Sequence, residues 1–207
     1  MDAGIGSLRA KLDLLRAVEA EHRFGAVLTP GPELAPSTQL PAGTIEVFRL
    51  FGRLAGRDFL FKTPRSIRTP QAWADRLHDD FPHGEHLQIG AEIWSRPEHL
   101  PGETEEQEDF HSYGGSPVRM RVDDGRIQYI DPDDYIHLFH DHDDADDLIR
   151  DLAPDLVTFL DQWVLGARYP DLVTLYLGRE VLETRHRRTG EYGDPWRRLL
   201  IAASLAE

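Results

Sequence analysis

Val118-Arg119-Met120-Arg121-Val122-Asp123-Asp124-Gly125-Arg126-Ile127-Gln128-Tyr129-Ile130 reads as two strands around a tight turn. From Val118 to Val122 apolar and polar residues alternate, the period of a strand with one face buried. Asp123-Asp124-Gly125 breaks the run, and glycine tolerates the positive φ that a hairpin turn needs. Ile127 to Ile130 carries the chain back, and Asp131-Pro132 ends it. A hairpin in the middle of 207 residues predicts an antiparallel sheet there.

On the N-terminal side, His86 to Trp94 alternates Leu87, Ile89, Ala91 and Ile93 and predicts another strand. Asp58-Phe59-Leu60-Phe61 is a shorter one. Pro70 suits the first turn of a helix carrying Trp73 and Leu77. Thr44 caps a helix with Val47, Phe48, Phe51, Leu54 and Ala55 on its apolar side and Gly56 at its end. Thr29 to Pro41 holds four prolines and reads as an irregular connection. Ser7 caps a first helix through Leu8, Leu12, Leu15 and Val18.

On the C-terminal side, Tyr135 to Phe139 reads as another short strand. A helix is expected from Pro154, with Leu156, Phe159, Leu160 and Trp163 as its docking stripe. Tyr169 to Leu177 fits a helix or a strand, and Asp194 caps a last helix running to Leu205. The order predicts an α+β fold: a central, mostly antiparallel twisted sheet flanked by helices, with extra C-terminal helices. One domain is expected over residues 1–207, its core spanning about 8–165 and a helical extension spanning about 166–207.

Composition narrows the function. The chain is 40% hydrophobic and 29% charged, with no cysteine. A chain of this size buries about 70% of its unfolded surface, enough for one substantial core. Without cysteine there is no disulfide, thiolate nucleophile or cysteine-bound zinc. No apolar run approaches the roughly 20 residues of a membrane span. Met1-Asp2-Ala3-Gly4 lacks the basic and apolar segments of a secretion signal, so a cytoplasmic location is expected. A net charge of −14 argues against binding nucleic acid, whose phosphates would be repelled.

Several of these pieces resemble the SUKH superfamily, which includes the Smi/Knr-like proteins and many bacterial immunity proteins. Leu40-Pro41, followed by a helix with Phe48 and a closing glycine, resembles the family's opening helix. Leu87-Gln88-Ile89-Gly90 is similar to its strand-then-glycine segment, and Val118–Ile130 to its central meander. Leu152-Ala153-Pro154-Asp155-Leu156-Val157-Thr158-Phe159-Leu160 resembles its sheet-docking closing helix. The chain departs from the pattern in having Gly52 and Gly56 where an Asn-Gly ending is usual. It also has Ala91-Glu92-Ile93-Trp94 and an acidic stretch where glycine and acidic residues soon after Gly90 are usual. The resemblance covers roughly residues 8 to 165. It implies a non-catalytic protein-binding module, in many members one that neutralises a toxin acting on nucleic acid, with no cofactor.

The charge is concentrated. Asp123 to Asp161 holds 13 aspartates, no glutamate or lysine, and two arginines, Arg126 and Arg150, a local charge of −11. Within it Asp141, Asp143, Asp144, Asp146 and Asp147 crowd seven residues. Like charges so close repel, and a basic partner relieves them. The alternative is a solvated helix start, where aspartates complement the helix dipole. Glu105, Glu106 and Asp109 belong to a second acidic stretch, Pro97 to Gly115, expected to be a long polar loop. Trp94 borders that loop; tryptophan is favoured at interface hot spots, though a core position is the first expectation for it. These nine residues are the candidate partner surface, and a basic toxin domain is the candidate partner.

Two other readings compete. His137, His140 and His142 beside Asp141 have imidazole–carboxylate chemistry suited to zinc or iron, which would make a metal-dependent hydrolase. A regulatory scaffold without a toxin is the third. No nucleophile elbow, phosphate-cradling loop or dinucleotide fingerprint is present. Arg185, Arg187, Arg188, Arg197 and Arg198 form a small basic tail, expected to fold back onto the aspartate strip, with capture of an acidic ligand as the alternative.

Overall fold

A computed structural model describes residues 3–64, 67–78, 84–94, 114–130 and 148–207. The hairpin that opened the argument lies within strands β6 (Gly114–Arg121) and β7 (Ile127–Ile130), with Arg119 opposite Gln128 and Met120 opposite Ile127. Gly125 takes φ 81° in the turn, as a side chain there would resist. Asp124 accepts from the backbone N–H of Arg126 at 3.1 Å, which closes the turn.

The sheet grows from that hairpin. Around it stand β1 (Val27–Leu28), β2 (Arg53–Ala55), β3 (Phe59–Lys62), β4 (Leu77–His78), β5 (His86–Ile93) and β8 (Ile149–Ala153). Their order is β1-β2-β3-β5-β6-β7-β8, with β4 pairing on β5, and every described pairing is antiparallel. The helices are α1 (Ala3–His22), α2 (Thr44–Phe48), α3 (Leu156–Phe159), α4 (Tyr169–Leu177), α5 (Arg179–Leu182) and α6 (Pro195–Ala202). α3 widens into a π turn over Leu160–Val164. The α+β class expected from the sequence is the class observed.

Aromatic contacts join helices and sheet. Phe61 meets Phe159 edge-on at 5.8 Å, and Phe59 meets Tyr176 at 5.3 Å. The segment beyond residue 166 shares this core, because Tyr169, Leu172, Val173, Trp196, Leu199 and Leu200 are all buried in it.

Several local expectations need correction. α1 begins at Ala3, so Ser7 lies inside it rather than capping it; Ile5 is buried and holds the earlier turn in register. Ser7 instead donates to the Asp161 carboxylate at 3.2 Å. α2 stops at Phe48 and its N-cap is Gly43, at φ 86°, not Thr44. Leu54 and Ala55 belong to β2, opposite Phe61 and Leu60. The reason is Gly52, which lies so close to Pro30 that a Cβ would come within 2.6 Å of its carbonyl oxygen. That contact fixes the chain as extended backbone beside residues 29–30 and ends the helical spacing.

Pro70 opens a 3-10 helix to Arg76, and Leu77 leaves it to join β4. α3 begins at Leu156 rather than Pro154, with Asp155 as its N-cap accepting from the Thr158 N–H at 2.7 Å. β8 and α5 had no counterpart in the sequence reading. The proposed strand Tyr135–Phe139 and most of the acidic loop lie outside the described residues.

Candidate functional site

Of the nine candidate partner residues, Trp94 alone is among those described. Asp141, Asp143, Asp144, Asp146, Asp147, Glu105, Glu106 and Asp109 lie outside them, as do His137, His140 and His142. Trp94 follows the last residue of β5 and is 67% exposed, against the expectation of a core position. Register explains this. β5 ends at Ile93 and is irregular against β6 between Ala91 and Ile93, so Trp94 lies past the paired residues while Glu92 stays under cover. A large indole therefore stands in solvent where the acidic loop begins.

Beneath it lies a buried carboxylate. Glu92 is 3% exposed and accepts from the Ser116 N–H at 3.2 Å. Burial raises its pKa, while donors on Ser116 and Trp94 oppose the rise. Glu92 also sits opposite Phe59 in the ladder, next to Asp58.

Asp58 begins a second buried polar group. Arg57 holds it through Nε at 2.6 Å and Nη2 at 3.1 Å. Burial pushes Asp58 up, the Arg57 bonds pull it down, and nearby Asp194 pushes it up again. Asp194 in turn accepts from the Tyr169 hydroxyl at 2.6 Å and from the backbone N–H groups of Arg57, Trp196 and Arg197. Burial and these carboxylates hold the Tyr169 phenol well above its ordinary value, so it remains protonated. This group fastens the β2–β3 turn to α4 and α6. Its members are 137 positions apart between Arg57 and Asp194, and no spacing in the sequence announces it.

The outer row of the meander carries a third network. His86 Nε2 lies 3.3 Å from Gln128 Oε1, and Gln128 donates to Asp151 at 3.0 Å. Arg126 reaches Asp151 at 2.5 Å and Asp124 at 3.1 Å, and Arg121 also grips Asp124. The Arg121 bond leads in holding Asp124 below its usual value. Partial burial works against Asp151, but bonds from Gln128 and Arg126 hold it low as well. Burial, outweighing the Gln128 bond, lowers His86.

These contacts divide the aspartate strip. Asp124 and Asp151 are neutralised by arginines, Asp155 caps α3, and Lys11 holds Asp161 at 2.9 Å. Four of the strip's charges thus have structural partners. The eight aspartates from Asp131 to Asp147 lie outside the described residues.

The basic tail does not meet the described part of the strip. Arg197 donates to the Leu182 carbonyl at 2.7 Å. Arg198 pairs with Glu191 at 3.1 Å and reaches the Phe24 carbonyl, and Arg185 donates to the Gly190 carbonyl at 3.0 Å. Thr184 to Gly193 doubles back on itself, with the Gly193 N–H on the Thr184 carbonyl and Arg185 bridged to Tyr192.

Among the described residues no group of three or more His, Asp or Glu side chains is placed to hold a metal ion. Also among them, no helix is long and apolar enough to cross a membrane. No family model matches the chain, and no curated protein or solved structure does.

Proposed function

We propose that this protein is a cytoplasmic, non-catalytic binding module that neutralises a basic protein, in the manner of the toxin-immunity proteins its sequence resembles. The observation that carries the reading is Trp94, 67% exposed at the end of β5. Exposing an indole that could be buried forgoes hydrophobic stabilisation, and partner contact would recover it. The surrounding charge favours a basic partner: the chain carries −14, and Glu105, Glu106 and Asp109 follow Trp94 closely. Asp141, Asp143, Asp144, Asp146 and Asp147 would supply the rest of the surface. Electrostatic steering then sets the association rate and the indole anchors the complex.

The test is capture from lysates of the source cells at low and high salt, read by mass spectrometry. Wild type is compared with Trp94→Ala and with a variant carrying asparagine at 143, 144, 146 and 147. A basic protein retained by wild type, released by salt and lost from both variants supports the reading. Partners indifferent to both variants would overturn it.

A further inference from the structure

We propose that the cleft between α4, α5 and the Thr184–Gly193 hairpin binds a small, multiply charged oxyanion, either a phosphate ester or a polycarboxylate. The cleft has a volume of about 720 Å³, within the range of small-molecule sites. Asp171 and Glu183 line it, but each already has a partner: Arg168 at 3.1 Å and Arg179 at 2.8 Å. Two further guanidinium groups, Arg185 and Arg197, line the same cleft and meet no carboxylate among the described residues.

In a chain with 37 acidic side chains against 23 basic ones, two arginines left over beside carboxylates that already have partners need a reason. Arg197 makes the stronger case. It is 8% exposed, and its Nε is buried with no hydrogen-bond partner. Its charge is met by the Leu182 carbonyl and by the Tyr192 ring, whose centroid lies 3.7 Å away. Arg185 stacks on the same ring at 3.9 Å. Tyr192 therefore holds two planar forks in place before any ligand arrives. Each guanidinium is a fork that matches phosphate or carboxylate oxygens bidentately. With Tyr192 covered by the arginines, the site offers charge recognition rather than a stacking surface for a base.

The competing explanation is a clamp, with Arg197 merely tying α5 to α6. Calorimetry on the whole chain separates the two, using sodium pyrophosphate and sodium citrate as probes at ionic strength fixed with sodium chloride. One saturable site is expected for at least one probe, with amide NMR shifts confined to residues 170–197. Arg185→Gln, at an exposed position, should bind about ten- to a hundredfold more weakly while melting like wild type. Arg197→Lys keeps the charge but loses the fork, and should also weaken binding. Pyrophosphate alone would assign a phosphate ligand, and citrate alone a polycarboxylate. No binding above the chloride control, or an Arg185→Gln variant that binds like wild type, would overturn the proposal.

Discussion

Two tryptophans illustrate what burial does at single positions. Trp73 is fully buried, stacks on Phe48 at 6.2 Å and donates to the Ala35 carbonyl at 3.1 Å. Trp73→Ala should cost about 3–5 kcal/mol in urea unfolding. Trp94→Ala should cost only about 1–2 kcal/mol, because the ring is mostly in water but donates to the buried Glu92 carboxylate, while abolishing partner capture. His86 gives a pH dependence of definite sign. Burial lowers its native pKa, so the unfolded chain takes up a proton first, near the ordinary value of about 6.5. Its contribution is complete above that pH and is lost as pH falls through it toward the lowered native value. Urea midpoints at pH 7.5 and 5.5 should show the loss, and His86→Gln should reduce it. Glu92 works the other way. Its raised native pKa makes ionisation a burden on the fold at neutral pH, one that disappears once both states are protonated. Glu92→Gln should therefore be more stable than wild type at pH 7.5, with the advantage fading in acid.

At the scale of elements, Asp194 joins more pieces than any regular strand edge does. It caps α6, takes the Tyr169 hydroxyl, and receives the Arg57 N–H from the β2–β3 turn. Asp194→Ala should cost about 3 kcal/mol, more than an ordinary cap, because it leaves buried donors unmatched. Thermal unfolding would measure it. The cap itself was legible from Asp194-Pro195 ahead of an apolar pattern, as the meander was from Asp124-Gly125 between alternating runs. β5 was legible for the same reason. What escaped was decided by distant contacts. Phe51, Leu54 and Ala55 keep helical spacing, yet Gly52 packs on Pro30, and Leu54 and Ala55 enter β2. β8 hid because Ile149-Arg150-Asp151-Leu152-Ala153 is short and sits in the acidic strip, where charge masks alternation. Of the candidate site, Trp94 was flagged by its neighbours in sequence, but its exposure depended on the irregular pairing of β5 with β6. The Arg57–Asp58–Asp194 group and the paired forks on Tyr192 arise only once the chain has closed on itself.

For the whole molecule, charge and closure govern behaviour. With −14 overall, association with a basic partner should slow steeply as salt rises, because screening shortens to about 3 Å at 1 M. Stopped-flow association rates across a salt series would read this directly; a rate indifferent to salt would remove electrostatic steering. Closure depends on α1 packing against both α3 and α6, with Arg198 reaching the Phe24 carbonyl from the far end of the chain. During synthesis α1 leaves the ribosome well before α6. At about 5–20 residues per second, the stripe of Ile5, Leu8, Leu12 and Leu15 waits on the order of ten seconds or more for its cover. Nascent chains stalled before Trp196 should accordingly be open to protease and held by chaperones, because the core closes only once α6 has emerged.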